Sequence, residues 1–243
     1  MLPRILSWSG GKDSTASIIL CHLHNIRIDE IIMSEVMFDE ETSGENPLHI
    51  EWVYGTAKPM FEKWGYKVTI LRSEKTYMDM FNHVITNARM YPEHNGMRYG
   101  FPIKACHIRR DLKIRVINKY MKKYSEGYEQ ILGICADEPK RLASMYKNPN
   151  IFSVLDDFGY TEDMARELCE EYGLLSPGYE FSDRQGCFFC FNAKNAELSL
   201  MKYSYPQIYK KLLDLEKECE KGDVAYTKWN PFREKLSEID STI

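Results

Sequence analysis

The opening run "RILSWSGGKDSTASIILCHLH", residues 4–24, sets the tightest limit on how this chain can fold. Residues 4–8 are apolar and short enough for a buried strand. Residues 13–24 carry an apolar stretch of helical length, and the adjacent glycines Gly10 and Gly11 separate the two. A strand that passes through a glycine turn into a helix is the first half of a βαβ unit. It commits the chain to a parallel partner strand further on.

The later sequence keeps this alternation. "EIIMSEVMF" (30–38) reads as a buried strand, and "DEETSGENP" (39–47) as a polar loop. A helix is expected from about His49 to Trp64, closed by Gly65, and "YKVTILRS" (66–73) as the third strand. Another helix is expected over Thr76 to Met90. Residues 91–105, with two prolines and two glycines, read as a loop. A basic helix over 106–124 precedes a fourth strand, "QILGICA" (130–136). Strands alternating with crossover-length helices predict an α/β fold, a parallel sheet with helices on both faces.

After about residue 150 the pattern becomes mainly helical. "GYTEDMARELCEEYG" reads as a helix with Thr161 at its N-cap and Met164, Leu168 and Tyr172 on one face. "SYPQIYKKLLDLEKECEKG" starts near Pro206 and stops at Gly222, with Ile208, Leu212 and Leu215 on one stripe. The expected organisation is therefore an α/β domain over 1–150 and a helical C-terminal region over 151–243.

Composition narrows the setting. A net charge of −4 gives no global electrostatic case for nucleic acid, although a local basic face remains compatible with it. No stretch approaches the roughly 20 apolar residues that span a bilayer, and "MLPRILSW" lacks the apolar core of a secretory signal. With seven cysteines, the expectation is a cytoplasmic protein with reduced thiols. Paired cysteines then point to metal or redox chemistry rather than a disulfide framework.

The glycine turn is not a Walker loop, because Asp13 follows Gly11-Lys12 and Leu6 stands where that loop needs a glycine. It still has the parts of an anion cradle. Gly10 and Gly11 let backbone N–H groups converge, and the helix starting near Asp13 contributes its positive end. Ser7, Ser9 and Ser14 offer hydroxyls, Lys12 a cation, and Asp13 either a helix cap or a magnesium ligand. Further on, Gly133 ends a strand, followed closely by Asp137, Lys140 and Arg141. In open α/β sheets such strand ends hold ligands, and an arginine there can clamp a phosphate.

Ser9-Gly10-Gly11-Lys12-Asp13-Ser14 resembles the PP-loop of the adenine nucleotide alpha-hydrolase superfamily. Within it, the chain is similar to the phosphoadenosine phosphosulfate reductase family. The similar segments are "VMFDEETSGENPLHIEW" (36–52), "GICADEPKRL" (133–142) and "YEFSDRQGCFFCFN" (179–192). The resemblance implies an adenine-nucleotide site, ATP with Mg2+, built from Ser7, Ser9 to Ser14, Gly133, Asp137 and Arg141, with Lys12 and Asp13 carrying the chemistry. It also implies cleavage of ATP to AMP and pyrophosphate, with adenylation of an acceptor that nothing in the sequence names, a nucleic-acid base among the candidates. Reductases of that family use a cysteine in a C-terminal Glu-Cys-Gly motif. Here "REKLSEIDSTI" has no cysteine, and Cys219, in "EKECEKG", is a weak substitute.

Cys187-Phe188-Phe189-Cys190 places two sulfurs three residues apart after Gly186. That spacing serves zinc, an iron–sulfur cluster, a redox dithiol or simple packing. The family resemblance adds Cys106 as a third metal ligand. Cys21, Cys135, Cys169 and Cys219 fall inside expected elements and read as buried small hydrophobes. The basic stretch 104–123, with Arg109, Arg110 and Lys113 near its start, is either a solvated face or a grip on phosphate. Asp39, Glu40, Glu41 and Glu45 read as a water-facing acidic loop. The histidines show no ligand spacing, and Trp229, Pro231 and Phe232 can pack on this chain or on a partner. Three readings follow: an AMP-forming enzyme, a sulfonucleotide reductase, or a nucleotide-binding module without turnover.

Overall fold

A computed structural model describes residues 1–102, 106–229 and 236. Its strands are β1 (Arg4–Ser7), β2 (Glu30–Glu35), β3 (Val68–Arg72), β4 (Arg98–Gly100), β5 (Glu129–Leu132), β6 (Ile151–Phe152) and β7 (Val224–Tyr226). A five-stranded sheet runs in the order β3-β2-β1-β5-β6. β1 is parallel to β2 and to β5, with Leu6 beside Ile31 on one side and Ile131 on the other. β5 is in turn parallel to β6.

The period-2 alternation of strands decides which residues face which layer. Leu6, Ile31, Met33 and Ile131 share a core with Ile18, Ile19 and Leu20 of the helix Lys12–Leu23. Ile5 and Ile32, their neighbours in sequence, pack instead with Ile117 and Met121 of the helix Arg115–Met121. Both faces of the parallel sheet are thus covered by helices. The sheet order reverses direction between β1 and β5, which makes the carboxyl ends of these two strands a topological switch point.

The residues group into two compact units. The first comprises Met1–Ser34, Leu48–Leu71 and Val116–Tyr179, and the second Glu35–Pro47, Arg72–Arg115 and Glu180–Ile243. This grouping does not follow the 1–150 and 151–243 division read from the sequence. Each unit draws on several segments, because the chain leaves the sheet after β2, returns for β3, and leaves again. The second unit has its own core around Tyr77, Phe81, Phe188, Phe189, Leu212 and Trp229. It also holds the two-stranded parallel pair β4-β7.

Several elements differ from the sequence reading. The second strand stops at Glu35, not 38, since Phe38 N–H turns back to the Thr42 carbonyl. The helix expected over Thr76 to Met90 is only Tyr77–Phe81, capped reciprocally by Thr76 and Asp79. Its continuation is replaced by chain that pairs with residues 96–99, where Ile85 N–H donates to Met97 O and Tyr99 N–H to His83 O. The loop expected over 91–105 accordingly contains β4. The basic helix opens with a π-helical stretch, Arg109–Ile114, before becoming α-helical. Thr161 caps the helix Glu162–Glu171 as expected, but Met164 is 40% exposed and the buried face carries Ala165, Leu168 and Cys169. Trp229 is buried within its own unit and donates Nε1–H to Phe189 O. Lys104, Pro231 and Phe232 lie outside the described residues.

Candidate functional site

The glycine loop leaves β1 at the switch-point edge of the sheet and enters the helix Lys12–Leu23, with Gly11 at its N-cap. Gly10 takes φ +76°, a left-handed conformation that favours glycine. A Cβ there would also lie 2.4 Å from Nε2 of His49, which is buried and hydrogen-bonded through Nδ1 to Ser176 Oγ at 2.8 Å. The hydroxyls knit the turn together. Ser9 N–H donates to Ser14 Oγ at 3.1 Å, and Ser14 Oγ–H donates to Gly11 O at 3.1 Å. The N–H groups of Asp13 and Ser14, in the first helical turn, have no intrahelical acceptor. Together with the helix dipole they form a positive cradle.

Two groups of the cradle are held by other residues of the same unit. Lys12 N–H donates to the Tyr179 hydroxyl at 2.9 Å. Lys12 Nζ lies 2.7 Å from both Asp13 Oδ1 and Glu162 Oε2. Burial alone would lower the Lys12 pKa, but hydrogen bonds and charge from Asp13 and Glu162 outweigh it and hold the ammonium well above its ordinary value. Lys12 is therefore a permanent cation.

The remaining sequence candidates have specific positions. Ser7 Oγ accepts from Gln130 Nε2 at 2.7 Å and ties β1 to β5. A Cβ on Gly133 would lie 2.5 Å from Ser14 N and 2.7 Å from Ser14 Cα, so only glycine lets the chain after β5 pass the start of the loop helix. Asp137 accepts from Glu162 N–H at 3.2 Å and completes the N-terminal cap begun by Thr161. Arg141 pairs with Glu138, whose other oxygen accepts from Cys135 N–H at 3.0 Å. His49, Ser176, Tyr179 and Glu162 were not singled out by sequence reasoning, although His49 and Tyr179 lie in the segments 36–52 and 179–192 that carry the family resemblance. They come from distant segments, and only the fold brings them to the loop.

Asp13, Cys135 and Glu138 form the trio, among the described residues, whose ligand atoms all lie within 4.8 Å of one another. Burial, then the neighbouring Asp13 carboxylate, pushes the Cys135 thiol far up, and it stays protonated. Cys21 and Cys169 are likewise buried, their thiols pushed up to about 12 chiefly by burial.

In the second unit, Cys187 lies opposite Glu45 in an isolated antiparallel bridge, and Cys190 N–H donates to Cys187 O at 3.0 Å to close the turn. Burial pushes the Cys187 thiol well up; Glu45, Cys190 and Cys106 raise it further, while Lys113 opposes them. Cys106, Cys187 and Cys190 therefore share one electrostatic neighbourhood. Two cations stand beside the cysteines, Lys113 near Cys187 and Arg184, whose Nη2 donates to Cys190 Sγ at 3.2 Å; the Arg109 backbone N–H donates to Cys106 Sγ at 3.4 Å. Glu45 is not water-facing as expected from the sequence. It is buried, accepts from Val36 N–H and pairs with Lys113 Nζ at 2.6 Å. Asp39 pairs with Lys211, while Glu40 and Glu41 are exposed. Cys219 is buried in the helix Pro206–Cys219, its thiol pushed up to about 11 by burial first of all.

No helix among the described residues is long and apolar enough to cross a membrane. No family model matches the sequence. An uncharacterized protein of Methanocaldococcus jannaschii is 26% identical across 96% of this chain, and the chain spans about half that relative's length, 53%. Among solved structures, the chain is similar to the U34-tRNA thiolase NcsA from Methanococcus maripaludis, determined with its [4Fe-4S] cluster. That match has a TM-score of 0.43 and 16% identity, and covers 90% of this chain and 72% of the other.

Proposed function

We propose that this chain binds ATP through the glycine loop and cleaves it to AMP and pyrophosphate, passing the adenylyl group to an acceptor. The observation that carries this reading is the loop itself. A Ser-Gly-Gly-Lys-Asp-Ser turn at the switch point carries first-turn N–H groups, two serine hydroxyls and a charged lysine within six residues. In the proposed step an acceptor oxygen attacks the alpha phosphorus and loses its proton to solvent or base. The bond from that phosphorus to the bridging oxygen breaks, and pyrophosphate leaves with the electron pair. The loop N–H groups and Lys12 stabilise the charge that builds on the leaving group. A magnesium ion carried with the nucleotide neutralises phosphate charge, and Asp13 is the loop carboxylate placed to hold it. Lys12 must then exchange its Asp13 and Glu162 partners for phosphate oxygens.

Cys106, Cys187 and Cys190 are proposed as ligands of a metal centre. Their shared neighbourhood and the adjacent Lys113 and Arg184 cations fit thiolates on zinc or on an iron–sulfur cluster. A bound metal would hold these sulfurs, exposed at Cys106 and half-buried at Cys187 and Cys190, as thiolates and would supply Lewis-acid or, as an iron–sulfur cluster, electron-transfer chemistry. The sulfonucleotide reductase reading is disfavoured, because Cys219 is buried and its thiol is a poor nucleophile at neutral pH.

Product analysis tests the reading. Anaerobically purified protein is incubated with ATP, magnesium and acceptor pools, including total RNA, and the products are separated. AMP and pyrophosphate should appear in equal amounts, and Lys12→Ala should slow their release by roughly 10²–10³-fold, the loss of one charged transition-state contact. ADP and phosphate as products, or an unchanged rate in Lys12→Ala, would overturn it.

A further inference from the structure

The second unit contains a cavity of about 630 Å³, within the range of small-ligand pockets. Its wall includes Arg89, Tyr91, Tyr99, His107, Arg110 and Tyr226. We propose that this cavity is a nucleotide subsite: it takes an unstacked nucleobase against its tyrosine and histidine rings and the attached phosphate on Arg89. It is independent of the glycine-loop reading, since every residue involved belongs to the other unit.

The rings form one continuous surface. Tyr99 sits 4.5 Å from His107 at 65° and 4.9 Å from Tyr226 at 53°. Such inclined rings offer faces and edges to a planar guest, the arrangement that proteins use for splayed bases. The wall is also rigid. Tyr99 lies in β4 and Tyr226 ends β7, and Arg98 clamps the pair through Asp223 at 2.9 Å and 2.7 Å. A Cβ on Gly100 would lie 2.3 Å from Tyr226 O, so the strands meet this closely only because that side chain is missing. A preformed stacking surface spends little binding energy on ordering.

Charge and hydrogen bonding match the same guest. Arg110 is bound at both ends by Asp111, at 2.9 Å and 2.8 Å, so this pair contributes little net charge. Arg89 is exposed and has no ion-pair partner among the described residues, which leaves one guanidinium for a phosphate. The buried Nδ1 of His107 has no hydrogen-bond partner among the described residues. Burial keeps the Tyr99 hydroxyl protonated. An imidazole and a phenol both suit the mixed donor and acceptor edge of a base.

The test uses 5-iodouridine as a photoreactive base, supplied either as its 5′-monophosphate or within a short single-stranded RNA. After irradiation, adducts are mapped by mass spectrometry. They should fall on Tyr91, Tyr99 or Tyr226. Tyr99→Leu should cut their yield about tenfold, in line with the loss of one stacking contact. Arg89→Ala, at an exposed position, should weaken binding by a similar factor while leaving thermal stabilisation by ATP unchanged. Equal labelling by both probes identifies a free nucleotide as the source; labelling by RNA alone identifies a single strand. Adducts elsewhere, no loss in Arg89→Ala, or an abasic strand competing as well as the base-bearing one would overturn the proposal. Lys12→Ala should leave the adducts in place, so failure here and failure of the glycine-loop reading can be told apart.

Discussion

The glycine loop and the cysteine turn are both tight turns with candidate ligands, yet they are built on opposite plans. The loop is made of backbone: glycines, first-turn N–H groups and hydroxyls that bond within the same six residues. The cysteine site is made of side chains from separate segments, with Cys106, Glu45, Lys113 and Arg184 converging on Cys187 and Cys190. A backbone site depends on what is absent at its glycines. A side-chain site depends on each charge having its partner.

The first way to test this contrast is to add a methyl group. Gly10→Ala meets both a positive φ and His49, and Gly133→Ala meets the backbone at Ser14. Each should cost about 3 kcal/mol in denaturant unfolding, because neither neighbour can withdraw cheaply. Gly186→Ala, beside the cysteine turn, meets only the end of the Arg184 side chain at 3.1 Å and should cost far less. Similar losses at all three positions would break the distinction.

Removing a sulfur probes the other plan. Cys187→Ser should reduce metal affinity at least about tenfold, more than the loss of a supporting contact typically costs. Metal analysis of anaerobically purified protein reads this directly, and Cys135→Ser should leave the content unchanged. Loss in Cys135→Ser with the metal retained in Cys187→Ser would place it at the glycine loop instead.

A smaller effect is expected where the loop is held by its own chain. Tyr179→Phe removes the hydroxyl that accepts the Lys12 N–H and frees that group for phosphate. ATP affinity should rise severalfold, about the worth of one hydrogen bond of ~1 kcal/mol. Weaker binding would mean that Tyr179 touches the nucleotide.

The smallest effect is on acid stability, and both units share it. Burial works against ionisation of Glu30, but hydrogen bonds from Lys123, Lys67, Thr69 and Tyr124 dominate and hold its carboxyl far below the ordinary range. Asp39 is likewise opposed by burial but drawn down to about 2 by Lys211 and Thr42. Both folded values lie below the unfolded ones of roughly 4. Their stabilisation is thus complete above about pH 4–5 and lost as pH falls toward about 2. Acid titration of Glu30→Gln and Asp39→Asn should show flatter curves than wild type; unchanged curves would remove these pairs from the account.

The same contrast explains what the sequence could reveal. The parallel sheet and the loop were legible because their signals are local: an apolar run, a glycine pair, a capping residue. Thr161 and the helix it caps were readable for that reason. The helix expected beyond Phe81 failed because pairing with residues 96–99, far along the chain, won over local propensity. Glu45 looked like one more solvated acid, since its burial depends on Lys113, distant in sequence. His49 and Tyr179 lie in the segments 36–52 and 179–192 that carry the family resemblance, but nothing local in them shows that they reach the loop; the π-helical opening of the basic helix has no pattern in its charges.

Nucleotide-dependent thermal stabilisation tests the central claim most directly. ATP with magnesium, AMP and phosphoadenosine phosphosulfate are compared on wild type and on Lys12→Ala. A ligand at about 100 times its dissociation constant adds roughly 2.7 kcal/mol. Wild type should be stabilised by ATP and by AMP, and Lys12→Ala should lose most of the ATP effect while melting normally alone. Stabilisation by the sulfonucleotide only, by no nucleotide, or equally in both proteins would contradict the assignment of the glycine loop to ATP.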